Sequence, residues 1–170
     1  MKQTIWLWLP VVAALSACAG MGSERKVEAV LKPTQGNSVS GIVSFRQDSD
    51  AVVVRAQVAG LTPGAHGFHI HEKGDCSAPD ATSAGGHFNP SGKPHGSPDH
   101  ADHHVGDMPQ LMADASGNAR LTARLAGLAL DGGNGIIGRG VIVHAAPDDF
   151  KTQPTGNSGA RVACGVVVAQ

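Results

Sequence analysis

The sequence predicts an all-β fold, an antiparallel sandwich or barrel, and three features lead to that prediction. Several short segments alternate between apolar and polar residues with a period of two, which is typical of half-buried strands. The 23 glycines and 10 prolines place turn signals between these segments. No segment combines a helical period with capping residues. Short strands joined by glycine-rich polar turns favour a sandwich or a barrel.

The strands are predicted in order along the chain. The clearest is AVVVRAQV, residues 51–58, in which alternate residues from Val52 to Val58 share one face. The preceding SVSGIVSF forms a plausible hairpin with it through RQDSDA. A further strand is predicted at ARLTARL, residues 119–125, after the turn-like DASGN, and β-rich runs GVIVH and ARVACGVVVA follow near the end.

One region interrupts this alternation, from Glu72 to Met108. It consists mainly of Gly, Pro, Ser, Asp and His. A loop of that length in a compact domain is usually functional or disordered. Five histidines within this region argue against disorder and indicate a functional loop.

The N-terminus predicts an export signal. Lys2 precedes an apolar run from Ile5 to Leu15, which is too short to span a bilayer comfortably, and LSAC resembles a bacterial lipobox. We therefore expect a signal peptide at 1–17, a lipidated Cys18 opening a tether at 18–26, and a folded domain at 27–170. Ordinary secretion, with Cys18 removed or left free, is the alternative.

The remaining cysteines, Cys76 and Cys164, form an even pair. In an exported protein a disulfide is the default expectation for such a pair, and two free buried thiols are the alternative. The net charge of -1 gives no sign of the clustered basic surface that a nucleic-acid partner requires.

Nine histidines are the unusual feature of the composition. In GFHIH, His69 and His71 lie two residues apart, so in a strand they share one face while Ile70 points to the other. Such a pair is either a polar accident or half of a metal site; for the second interpretation, His144 at the end of GVIVH is a candidate partner. Nitrogen-rich sites with an accessible position suit copper.

The long loop contains a second candidate ligand set: His87, His95, His104 and Asp107. Three imidazoles and one carboxylate complete a closed tetrahedral zinc site of the structural kind. His66, His100 and His103 lie in no convincing motif and are predicted to be solvated. His103 could exchange roles with His104, but the H-x-x-D spacing favours His104. A weak metal-sequestering loop is the alternative.

These motifs carry a family resemblance. GFHIH, AGGHFNP, HGSP, HVGD, GRGVIVH and TGNSGARVACGVVVAQ occur in the order found in the Cu,Zn superoxide dismutases, and the match covers residues 27–170. The resemblance implies an eight-stranded Greek-key β-barrel, flattened like an immunoglobulin sandwich, which is the known architecture of that family. It also implies a long metal-binding loop and an electrostatic loop.

The resemblance further implies roles for individual residues. The copper ligands would be His69, His71, His87 and His144. The zinc ligands would be His87, His95, His104 and Asp107, so that His87 bridges the two metals. Arg161 resembles the arginine that attracts anions, and Asp148 resembles the carboxylate that links a copper histidine to a zinc histidine. Cys76 and Cys164 resemble the disulfide that attaches the long loop to the last strand.

The expected function is disproportionation of superoxide, with one copper and one zinc ion per subunit, and with Arg161 and His87 as catalytic residues. The alternative is a non-catalytic periplasmic copper/zinc buffer or chaperone on the same fold.

The expected partners are superoxide and, through the lipid, a membrane; nucleic acid is not expected. The expected location is the bacterial envelope, at the outer membrane, and both a monomer and a homodimer are compatible with the resemblance.

Overall fold

The computed structural model describes residues 25–170, so the predicted signal peptide and Cys18 lie outside the described residues. The described part contains nine strands and a 3-10 helix at Thr82–Ala84. The strands are β1 (Val27–Pro33), β2 (Ser40–Asp48), β3 (Ala51–Ala59), β4 (Gly64–His66), β5 (Phe68–His71), β6 (Leu111–Ala113), β7 (Ala119–Ala126), β8 (Gly140–His144) and β9 (Arg161–Ala169).

All nine strands belong to one antiparallel sheet in the order β4-β6-β7-β3-β2-β1-β9-β8-β5. The two outermost strands, β4 and β5, are separated along the chain by Gly67 alone. The sheet therefore closes into a barrel through the chain itself. Counted as one bent strand, β4 and β5 reduce the nine strands to the predicted eight, and connections between non-neighbouring strands follow the Greek-key pattern. The fold prediction is confirmed.

The β2–β3 hairpin lies where the alternation predicted it. Its register runs from Ser40 opposite Ala59 to Asp48 opposite Ala51. The alternate residues of β3 from Val52 to Val58 are buried, whereas Arg55 and Gln57 are exposed. The period of two thus identified the face of β3 that packs into the core.

The barrel interior is filled by aliphatic side chains together with Phe45, Phe68 and Phe88. Ile70 is fully buried in this cluster. Burial of such a side chain stabilises the fold by roughly 2 kcal/mol. The same burial anchors β5, on whose opposite face the two histidines of GFHIH lie.

Two long loops leave the barrel on the side of that face, at residues 72–110 and 145–160. Cys76 of the first loop forms a disulfide with Cys164 of β9, with a Cα–Cα distance of 5.9 Å. The predicted disulfide is confirmed. Among the described residues, no helix has the length and apolar character needed to cross a membrane.

Candidate metal centre

The structure brings the seven predicted metal ligands together in two clusters that share His87. One cluster consists of His69, His71, His87 and His144, and the other of His87, His95, His104 and Asp107. In each cluster the potential ligand atoms lie within 4.8 Å of one another, and every member is buried. Two four-membered sites joined by one imidazole are therefore preformed by the fold.

Strand pairing places three members of the first cluster on one face. In the β5–β8 ladder, His69 lies opposite Ile142 and His71 opposite Gly140. Residues opposite one another share a face, and His144 follows Ile142 by two positions, so it joins the same face. A register irregularity between Val143 and His144 re-aims the strand end, as bulges do.

Backbone hydrogen bonds attach the long loop to β5 and bring in the remaining ligands. The carbonyl of Ile70 accepts from Phe88 N–H, and Ile70 N–H donates to Gly106 O, both at 2.8 Å. Gly106 N–H in turn donates to Phe88 O at 2.8 Å. His87 and Asp107 are the chain neighbours of these anchored residues, which explains their position beside β5.

Four buried imidazole nitrogens in the first cluster have no hydrogen-bond partner: His69 Nδ1, His71 Nε2, His87 Nε2 and His144 Nε2. Buried polar atoms are nearly always paired, because an unpaired one costs the lost interaction with water. Four such atoms converging on one point form a donor set that fits a nitrogen-preferring metal ion.

The second ring nitrogen of three of these histidines is held by an acceptor. His69 Nε2 lies 2.6 Å from Asp148 Oδ2, His71 Nδ1 lies 2.9 Å from Gly85 O, and His144 Nδ1 lies 3.1 Å from Gly159 O. Each of these nitrogens must donate, so the unpartnered nitrogen on the same ring carries the lone pair. This arrangement orients a histidine as a metal ligand.

The second cluster has the spacing of a tetrahedral ligand shell. Asp107 Oδ1 lies 2.9, 3.0 and 3.4 Å from the Nδ1 atoms of His87, His95 and His104. The Nδ1 atoms of His87 and His104 are 3.3 Å apart. A tetrahedron with metal–ligand bonds of about 2.0 Å has edges of about 3.3 Å. The four atoms therefore fit a four-coordinate zinc ion.

Burial and neighbouring charges keep three imidazoles of the first cluster neutral. Burial lowers the pKa of His71 well below its usual value, that of His87 to about 4 and that of His144 to about 3. Neighbouring histidines lower these pKa values further. A neutral imidazole is the form that binds a metal.

Two carboxylates, Asp107 in the second cluster and Asp148 beside it, determine the charge of this cluster. Burial alone would raise the pKa of Asp107, but hydrogen bonds with His104, His87 and His95 hold it well below its usual range. Although burial opposes it, hydrogen bonding to Asp107 and Asp148 raises the pKa of His95 to about 9. The two carboxylates therefore favour a positive charge near His95. Either a proton on the imidazole or a divalent cation bound to it supplies that charge.

Asp148 connects the two clusters. Its Oδ2 lies 2.6 Å from His69 Nε2, and its Oδ1 lies 2.9 Å from His95 Nε2. Although burial opposes it, hydrogen bonds with these two histidines hold the pKa of Asp148 well below its usual value. Gln110 Oε1 accepts from Asp148 N–H at 2.9 Å. Gln110 is a contact that the sequence did not indicate.

Arg161 begins β9 opposite His144. Its Nη1 donates to Ala81 O and its Nη2 to Gly85 O, both at 2.6 Å. Burial lowers the pKa of Arg161, yet a guanidinium stays charged in proteins. A fixed cation thus lies beside the first cluster.

The prediction that His66 is solvated is wrong, because this side chain is only 2% exposed. Its Nδ1 lies 2.8 Å from His144 O, and its Nε2 lies 2.8 Å from Thr62 O. His66 therefore holds the backbone of a cluster residue. The position of Ala65 and His66 directly before GFHIH, in the same apolar run, is the signal that could have indicated burial.

His103 lies outside both clusters, and its Nδ1 donates to His104 O.

Comparison with known proteins identifies relatives of the whole domain. Residues 39–167 match the family model described as copper/zinc superoxide dismutase. A Cu-Zn superoxide dismutase of Onchocerca volvulus is 44% identical over 144 residues, covering 78% of this chain and 90% of that protein. An extracellular Cu-Zn superoxide dismutase of Brugia pahangi is 42% identical over 148 residues, covering 82% of this chain and 73% of that protein.

A solved structure shares the fold. The crystal structure of the clock protein EA4 superposes with a TM-score of 0.78 at 39% sequence identity, covering 88% of this chain and 97% of that one. The fold of this chain is therefore also found in a solved protein with 39% of its residues in common.

Proposed function

This chain belongs to the copper/zinc superoxide dismutase family, and we propose that it disproportionates superoxide in the bacterial envelope at the paired histidine clusters described above. It is an oxidoreductase whose cofactors are one copper ion and one zinc ion. The reaction consumes two superoxide anions and two protons and yields one dioxygen and one hydrogen peroxide.

The observation that carries the proposal is the convergence of four buried imidazole nitrogens without hydrogen-bond partners. A structural core would not retain four such atoms together, because each lost water interaction lowers stability. We assign copper to His69, His71, His87 and His144. We assign zinc to His87, His95, His104 and Asp107.

Copper, when bound, supplies one-electron exchange between its +2 and +1 states, while zinc does not change oxidation state. The protein groups then bind the anion, orient it and handle protons. His87 is the proposed proton carrier, since its Nε2 faces the first cluster while its Nδ1 lies 2.9 Å from Asp107 Oδ1 in the second. The lone pair of Nε2 can hold either copper or a proton, so this nitrogen would carry a proton only while it does not ligate copper, and that proton would pass to the reduced oxygen species.

Arg161 is the proposed anion-binding residue. Two carbonyl oxygens hold its guanidinium in place, so a charge beside the copper cluster is preorganised before superoxide arrives. Fixed charges of this kind bind an anion without reorganisation. The disulfide supports this arrangement, because it attaches the loop that supplies both carbonyls to β9.

The test is a superoxide-removal assay on the purified protein after reconstitution with copper and zinc, with and without cyanide, together with metal analysis. We expect one copper and one zinc per chain and cyanide-sensitive activity. Full occupancy of both metals without activity would refute the catalytic proposal. That result would favour the alternative, a metal-binding buffer or chaperone on the same fold.

We also propose export with a signal peptide at 1–17, a tether at 18–26 that begins with lipidated Cys18, and anchoring at the outer membrane. The lipobox-like LSAC, the disulfide and a relative named as extracellular support export. Mass spectrometry of the mature N-terminus tests the lipid. We expect a diacylated or triacylated cysteine, and an unmodified N-terminus would refute the anchor.

A further inference from the structure

The side chain of Gln153 contacts both backbone polar groups of His95. Its Oε1 accepts from His95 N–H at 2.8 Å, and its Nε2 donates to His95 O at 2.9 Å. Residues paired across an antiparallel ladder exchange two such bonds, yet neither residue belongs to a strand. A glutamine side chain thus takes the place of a neighbouring strand at this point of the long loop.

The amide of Gln153 has a defined orientation. Its Nε2 also donates to Lys151 O at 3.1 Å, so this nitrogen faces two carbonyl oxygens while Oε1 faces an N–H. Exchanging the two ends of the amide would place donor against donor and acceptor against acceptor. Only an amide of this length satisfies all three contacts.

The segment containing Gln153 also holds the ring of His95. Asp148 Oδ1 lies 2.9 Å from His95 Nε2, and the ring of Phe150 stacks on the imidazole at 14° with centroids 6.5 Å apart. Phe150 N–H donates to the same carboxylate oxygen at 2.7 Å. Residues 148–153 therefore contact the backbone, one edge and one face of His95. The remaining nitrogen, Nδ1, is directed at Asp107, 3.0 Å away.

The other members of the second cluster are placed differently. His87 precedes Phe88, which is hydrogen-bonded to β5, and His104 N–H donates to Asp107 Oδ2 at 2.9 Å. Their positions depend on β5 and on the long loop itself. Of the four residues in the second cluster, His95 has its backbone held by a residue of the loop at 145–160.

We propose that Gln153 is a positioning residue for His95, through which the loop at 145–160 controls how tightly the second cluster retains zinc. The proposal rests on the zinc assignment made above. Removing the two bonds would free the His95 backbone and misplace Nδ1. Loss of an outer partner of a metal ligand typically changes metal affinity by 10–100-fold, so we expect zinc release to accelerate by about tenfold.

The test compares Gln153→Met with Gln47→Met in the copper- and zinc-loaded protein. Gln47 makes the same kinds of bonds at the β2–β3 turn: its Nε2 donates to Ser49 O at 3.0 Å and to Ala51 O at 2.9 Å, and its Oε1 accepts from Leu130 N–H at 3.2 Å. Zinc transfer to a chromophoric chelator should be about tenfold faster in Gln153→Met than in wild type. Gln47→Met should release zinc at the wild-type rate, although its thermal midpoint falls.

A spectroscopic measurement separates ligand placement from general destabilisation. Co²⁺ loaded in place of zinc reports tetrahedral geometry through its visible absorption, which should change in Gln153→Met and not in Gln47→Met. Gln153→Glu keeps an acceptor for His95 N–H but sets a second oxygen against two carbonyls, so it should also release zinc faster than wild type.

Equal zinc release and equal Co²⁺ spectra in the two methionine variants would overturn the proposal. A wild-type protein that retained no zinc at the second cluster would instead refute the zinc assignment. The two failures are therefore distinguishable.

Discussion

His71 and Arg161 share one hydrogen-bond acceptor, the carbonyl oxygen of Gly85. His71 Nδ1 lies 2.9 Å from this oxygen, and Arg161 Nη2 lies 2.6 Å from it. One backbone group of the long loop therefore orients both a proposed copper ligand and the proposed anion-binding residue. If the proposed roles hold, the loop couples metal geometry to anion binding through this carbonyl.

Replacing Arg161 should reduce catalysis without removing the metals. In Arg161→Ala we expect the second-order rate of superoxide removal to fall by about tenfold, the low end of the range for electrostatic steering. The rate for Arg161→Lys should lie between those of Arg161→Ala and wild type. Lysine keeps the positive charge but cannot donate two parallel hydrogen bonds as a guanidinium does. Stopped-flow decay of superoxide at two ionic strengths measures the rates of both variants and their dependence on salt. Loss of copper from Arg161→Ala would contradict the assigned role.

Replacing His144 should separate the two metals. His144 belongs to the first cluster alone, so His144→Ala should lose superoxide removal while zinc remains bound. Activity and metal content of the same sample give the answer. An active His144→Ala variant would show that the copper assignment is wrong.

Replacing Asp148 should weaken both clusters. An asparagine at this position can accept from one histidine but not from both, so His69 or His95 loses its orienting partner. We expect metal affinity to fall by 10–100-fold for at least one metal in Asp148→Asn. Competition with chelators of known affinity measures this. Exposed Asp149, whose carboxylate bonds only within its own loop, provides the matched control Asp149→Asn.

Removing the disulfide should lower stability and disturb the anion site. Cys76 and Cys164 are 88 residues apart, and the loss of such a cross-link typically costs roughly 2–5 kcal/mol of unfolding free energy. Denaturant unfolding of the Cys76→Ser, Cys164→Ser double variant measures the change. The activity per bound copper should also fall, because the loop carrying Gly85 loses its attachment to β9. Unchanged stability would argue that the loop is held mainly by its hydrogen bonds.

Replacing Gly106 should displace the long loop from β5. A Cβ at this position would collide with the carbonyl oxygen of Ile70 and lie 3.0 Å from Phe88 N. Gly106→Ala should destabilise the protein by about 1–3 kcal/mol, as overpacking does, and should lower zinc content. Gly133→Ala is the control, because nothing lies within 4 Å of its Cβ position. Equal thermal midpoints in the two variants would contradict this account of loop attachment.

Much of the fold was readable from local pattern. The alternation in residues 51–58 predicted both a strand and its buried face, because a period of two is a property of the strand itself. For the same reason GFHIH placed His69 and His71 on one face and Ile70 in the core. Residue chemistry indicated metal sites, since imidazoles and carboxylates are the ligands that copper and zinc prefer.

Contacts between distant segments were not readable in this way. His66 was predicted to be solvated, but it is buried against the backbone of His144. Gln153 gave no signal, although it holds the backbone of His95, 58 residues away. Both depend on the paths of loops, which have no periodic pattern.

The sequence by itself determined most of the strands, the ligand types and the order of the motifs, because each follows from neighbouring residues and their chemistry. The family resemblance implied that His87 joins both ligand sets and that Asp148 links a histidine of each, and the tertiary structure shows these contacts. Only the tertiary structure decided that Gln153 holds the backbone of His95 and that one carbonyl serves both His71 and Arg161. These relationships require atoms from separate loops and strands to lie about 3 Å apart. That proximity results from barrel closure and loop attachment, not from any single segment.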